Sequence, residues 1–191
     1  MGLIDKLRVM CNCNKAEIKH DRPGQPDGSF AIALDYPVNS RPRYPIGQTP
    51  HSRLNALLSR NQARYRELLE SFLPFADNLS KIPASGEPSG TTPYWINDFI
   101  PGLDAVAIYC MIALKRPKHY FEIGSGNSTK FARQAIRDHG LPTQIVSIDP
   151  SPRAEIDEIC DEVLRLPLED CDPEFFNRLD DGDILFVDDS H

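Results

Sequence analysis

One feature of this 191-residue chain constrains its fold more than any other: an alternation that begins at Lys118. Tyr120-Phe121-Glu122-Ile123, Ile145-Val146-Ser147-Ile148, Val163-Leu164-Arg165-Leu166 and Ile184-Leu185-Phe186-Val187 are short, mostly apolar runs of strand type. Helix-type segments separate them. Ser128 to His139 carries Phe131, Ala135 and Ile136 on one side, with Gly140 as its terminator. Pro152 to about Ile159 follows a capping Ser151, and Pro173 to Leu179 follows Asp172. Strands that are apolar along their length and alternate with helices predict an α/β protein with a parallel sheet covered on both faces.

The chain before Lys118 has a different character. Residues 1–50 hold a short amphipathic piece (Leu3, Ile4, Leu7, Val9, Met10) and then Pro23, Pro26, Pro37, Pro42, Pro45 and Pro50. Proline fixes φ and has no N–H to donate, so this stretch reads as an irregular arm. Thr49 and Pro50 suit a helix start. Leu54, Leu57, Leu58, Tyr65, Leu68, Leu69, Phe72 and Leu73 then recur at three- and four-residue steps. That spacing predicts one amphipathic helix of about six turns, ending near Pro74 or continuing kinked towards Leu79. Ser85 to Gly90 is linker-like, so 51–92 reads as a helix and linker. A buried helix is expected from Pro101 to Leu114, with Tyr94 and Trp95 ahead of it as core aromatics.

Charge bounds the partners. Residues 117–191 carry 7 basic against 17 acidic side chains, which repel phosphate backbones, so no nucleic-acid partner is expected. Ala105 to Leu114, ten residues, is the longest uncharged apolar run and is too short to span a bilayer, so no membrane partner is expected. Asp5, Lys6 and Arg8 interrupt what an export signal needs. Of the five cysteines, Cys11 and Cys13 stand one residue apart, closer than zinc ligands are spaced. Reduced thiols in a cytoplasmic protein are the simpler expectation.

In parallel sheets, ligands bind where loops leave the carboxyl ends of the strands. Four such ends are legible. After the first strand comes Gly124-Ser125-Gly126-Asn127-Ser128-Thr129, whose glycines allow positive φ and close approach by a ligand. The helix starting near Ser128 directs free N–H groups into the same space. Asp149 closes the second strand, where a carboxylate can accept ribose hydroxyls. Pro167 to Asp170 and Asp188 to His191 follow the third and fourth strands. Two residues argue against a dinucleotide. Thr129 stands where that fingerprint has glycine or alanine, and Glu122, two residues before the first glycine, disfavours a pyrophosphate and suits a cationic, amino-bearing ligand.

The run Glu122-Ile-Gly124-Ser-Gly126-Asn-Ser128-Thr129 resembles the first motif of class I S-adenosylmethionine-dependent methyltransferases. The ordered set from Pro93-Tyr94-Trp95 through Pro101-Gly102-Leu103-Asp104 to Asp188-Asp189-Ser190-His191 is similar to a subgroup that includes sugar and natural-product methyltransferases. The resemblance implies a Rossmann-like parallel sheet, order 3-2-1-4 visible, with helices on both faces, preceded by a helical and irregular segment. It implies that 93–191 is the N-terminal half of such a domain, because four strands are legible of the family's seven. An exposed apolar edge at Ile184–Val187 then implies a fragment, or cover from a partner or second copy.

By the same resemblance, Gly124, Ser125, Gly126, Asn127 and Ser128 would hold the methionine part of S-adenosyl-L-methionine, with Glu122 near its amino group. Asp149 would bind the ribose, and Leu168 and Glu169 would flank the adenine. Asp188 and His191 would be catalytic, His191 as a base. Asp188 and Asp189 would be candidate ligands of a divalent metal such as magnesium. The expected acceptor is a small molecule or sugar, methylated on oxygen. The rival readings are a non-catalytic cofactor-binding module and an NAD-dependent oxidoreductase.

Overall fold

A computed structural model describes residues 51–152 and 154–188, which fall into two compact units, 51–69 and 70–188. Asp189 and His191, two of the expected site residues, lie outside the described residues, as does the 1–50 arm.

The first unit holds helix α1 (Ser52–Ser59) and the greater part of α2 (Gln62–Ser71). The single six-turn helix expected there is therefore two helices. The break has a local cause: Asn61 is a strong N-cap type, and its carbonyl accepts the first bond of α2 from Tyr65 N–H at 3.0 Å. The start of α1 is also set two residues later than expected, by His51, whose Nδ1 accepts from Leu54 N–H. The apolar stripe is present but open, with Leu54, Leu57 and Leu58 each about half exposed.

In the second unit, a 3-10 turn (Leu73–Phe75) and α3 (Ala76–Leu79) lead to α4 (Gly102–Lys115). The alternation then runs β1 (His119–Ile123), α5 (Asn127–Asp138), β2 (Gln144–Ile148), β3 (Glu162–Leu164) and β4 (Ile184–Val187). All pairings are parallel and the sheet order is β3-β2-β1-β4. That is a Rossmann-like α/β sheet.

Strand alternation sorts β1 into two faces. Tyr120 points towards α4, while the Phe121 ring meets Phe175 (5.4 Å) and Phe176 (6.2 Å) on the opposite face. Helices α4 and α5 cover the first face, with Tyr109, Ile112, Phe131 and Ala135 fully buried. The opposite face is covered by a 3-10 helix (Pro173–Arg178), whose Asp172 side chain accepts from Glu174 N–H. The helix expected over Pro152–Ile159 is only a 3-10 turn (Asp157–Ile159). Side chains satisfy the backbone there instead: Asp149 Oδ1 accepts from Ser151 N–H, and Arg133 Nε donates to the Ile159 carbonyl. Among the described residues, no helix is long and apolar enough to cross a membrane.

Candidate functional site

The glycine turn is built by three ties. Gly124 has φ +80°, a conformation that favours glycine and reverses the chain directly after β1. Ser125 is then fixed twice to β2: its N–H donates to Asp149 Oδ2 at 2.8 Å, and its Oγ meets Ser147 Oγ at 2.7 Å in the buried core. Finally, Thr129 Oγ1 accepts from Gly126 N–H at 3.0 Å, satisfying a donor at the start of α5. The threonine that breaks the dinucleotide pattern is thus an internal clasp of the turn.

These ties open a crevice of about 260 Å³ over the carboxyl ends of the strands. Gly124, Ser125, Gly126, Asn127 and Ser128 line one wall. Asp149 lines another, half-buried, while Leu168 and Glu169 come from a 3-10 turn (Leu168–Asp170) after β3. Leu168 also packs on the Ile123, Ile148 and Cys171 cluster, which fixes an apolar surface in the crevice wall. Asp188, exposed at the end of β4, completes the lining. An added Cβ at Gly126 would meet no heavy atom within 4 Å, so the turn faces open space there.

Glu122 is placed differently from the expectation. It lies within the sheet, paired in register with Ser147 and Phe186, is fully buried, and does not line the crevice. A residue two positions before the turn sits one pleat below the strand end, so its side chain enters the core. Burial pushes its carboxyl up to about 7, the hydroxyls of Ser128 and Thr129 moderate the rise, and the charges of Asp188 and Asp149 add to it. Neither carboxylate oxygen reaches hydrogen-bond geometry with a described group. From that depth the carboxylate does not touch the crevice, contrary to the expectation that it would meet the ligand's amino group. The acidic groups that do face the crevice are Asp149, Glu169 and Asp188.

Phe99 and Ile100 also line the crevice and were not legible as site residues. Asn97, 5% exposed, organises them: its Oδ1 accepts from Phe99 N–H (3.1 Å) and Ile100 N–H (2.9 Å), and its Nδ2 donates to the Tyr94 carbonyl (2.9 Å). The Asn-Asp pair preceding Phe99 was the available turn signal, and Asp98 does adopt φ +64°. Tyr94 is buried and Trp95 packs on Phe131 at 5.3 Å, as core aromatics do. No group of three or more His, Cys, Asp or Glu side chains arranged to hold a metal occurs among the described residues. Burial pushes the Cys110 and Cys160 thiols up to about 12, which leaves them poor nucleophiles at neutral pH.

A family model described as a methyltransferase domain matches residues 121–191, from the middle of β1 through the glycine turn, Asp149 and β4 to the last residue. The match, with the 3-2-1-4 sheet and its crevice, supports a methyltransferase. No curated protein and no solved structure matches the chain significantly.

Proposed function

We propose that the crevice binds S-adenosylmethionine and that the chain transfers its methyl group to the hydroxyl of a small acceptor. One observation carries the reading. The turn after β1 and the acid after β2, both inside the matched methyltransferase segment, are joined by the Ser125 N–H to Asp149 bond and line one crevice. The residues fit such a ligand. The open face at Gly126 gives room for the methionine chain, and the start of α5 offers N–H donors to its carboxylate. Asp149 spends one lone pair of each oxygen on Ser125 and Ser151, so each oxygen retains capacity for a ribose hydroxyl. Leu168 supplies an apolar surface for the adenine.

When bound, the sulfonium supplies a methyl carbon whose bond to sulfur breaks as a bond to the acceptor oxygen forms, leaving a neutral thioether and one proton to be removed. Asp188, at the end of β4, is the group in the crevice that accepts that proton, and its carboxylate also orients the hydroxyl. The test is transfer of a radiolabelled methyl group from S-adenosylmethionine to a pool of small hydroxyl compounds, compared between the wild type and Asp188→Asn. A hundred-fold lower rate in the variant is expected for loss of a positioned base, and equal rates exclude that role.

A further inference from the structure

A second cavity, about 490 Å³, lies between α4 and β4 on the face of the sheet opposite the Phe175 and Phe176 rings. Its walls come from Ala107, Ile108 and Met111 of α4 and from Tyr120, Ile184 and Phe186 of the sheet. It is continuous with the crevice, because Phe99, Ile100 and Asp188 border both. We propose that this groove is the acceptor site, and that it takes a flat, uncharged, largely apolar molecule bearing one hydroxyl, of the phenol type, in preference to a sugar. The inference rests on the methyl-transfer reading for the role of the hydroxyl, while occupancy of the groove is testable without it.

Two observations point to that class. The Phe186 ring lies nearly parallel to the buried Tyr120 ring, 17° apart with centroids at 6.5 Å, and gives the groove a flat apolar wall. The charged side chains that border the groove, Asp104 and Asp188, are both acidic and repel a phosphorylated or carboxylated acceptor. A sugar presents several hydroxyls to these walls and would leave most of them unpaired, whereas a phenol has one, which the shared border directs to Asp188.

The experiment uses the full chain with 2-naphthol as a fluorescent planar phenol, and Ala107→Trp and Met111→Trp as two independent ways of filling the groove. S-Adenosylhomocysteine affinity is measured in parallel to report on the crevice. Binding of 2-naphthol to the wild type, at least ten-fold weaker binding to each folded filled variant, and no displacement by methyl α-D-glucopyranoside are expected. The affinity for S-adenosylhomocysteine should change less than two-fold in both variants. No binding of 2-naphthol to the wild type, undiminished binding to the filled variants, or displacement by the glucoside each overturns the proposal. Should 2-naphthol bind as expected while S-adenosylhomocysteine does not, the groove stands and the methyl-transfer reading falls.

Discussion

Asp149 Oδ2 accepts the backbone N–H of Ser125 at 2.8 Å, so the carboxylate that ends β2 holds the glycine turn that follows β1. Its other oxygen accepts from Ser151 N–H at 2.7 Å. Asp149→Ala therefore orphans two backbone donors at once. We expect a loss of about 2–4 kcal/mol in stability and at least ten-fold weaker binding of S-adenosylhomocysteine. Asp149→Asn keeps one acceptor oxygen and should fall between the two. Urea unfolding and calorimetry check both numbers, and an alanine variant that binds as tightly as the wild type removes the ribose assignment.

Glu122 gives a pH dependence of definite sign. Its carboxyl is pushed up to about 7 by burial, so the folded state holds a proton that the unfolded chain releases above the ordinary carboxylate range. Its favourable contribution is complete below about pH 4.5 and is lost as pH rises through about 7. Glu122→Gln removes the titrating group while keeping its shape. The variant should match the wild type at pH 4 and exceed it by roughly 1–3 kcal/mol at pH 8.5. Equal stabilities at pH 8.5 would show that the carboxylate is satisfied when charged.

Asp183 behaves in the opposite way at the other end of the sheet. Burial alone would raise it, but hydrogen bonds from the backbone N–H groups of Asp180, His119 and Lys118, and from the His119 ring, outweigh that and hold it at about 2. Its contribution is present above about pH 4 and is lost as pH falls towards 2. Asp183→Asn should cost about 2 kcal/mol at pH 7 and little at pH 2, as measured by thermal unfolding. A constant difference across that range would contradict the assignment.

Asn97 holds Phe99 and Ile100 at the shared border of crevice and groove. Asn97→Ala leaves two backbone donors and the Tyr94 carbonyl without their partner, and should cost about 1–3 kcal/mol in stability. Affinities for S-adenosylhomocysteine and for 2-naphthol should both fall, because one turn supports both cavities. A variant that loses stability alone would reduce Asn97 to a structural residue.

Most of the sheet could be read directly, because each strand is a short apolar run bracketed by proline, glycine or charge, and a parallel strand has little freedom in such a frame. Strand β4 is bounded by Asp183 and Asp188 and was located without error, and β1 and β2 to within one residue. The Pro152–Ile159 helix was misread because helix-forming side chains there make competing bonds: Asp157 pairs with Arg165, and Arg133 captures the Ile159 carbonyl. Periodicity also ran through Arg60-Asn61 without showing the break between α1 and α2, since both helices continue the same apolar spacing. In the site, the residues after each strand end were legible because loops at that edge must share one crevice. Glu122 was misplaced because position along a strand does not reveal depth below its end. Phe99 and Ile100 were missed because they enter the site from a turn before the alternation begins.

Calorimetric titration of the full chain with S-adenosylhomocysteine, with NADH titrated under the same conditions, decides whether the crevice under the glycine turn takes a sulfur-linked nucleoside. Saturable heat at a single site with a micromolar Kd, and none from NADH, is the result predicted. Absence of heat from S-adenosylhomocysteine, or comparable binding of NADH, would contradict it.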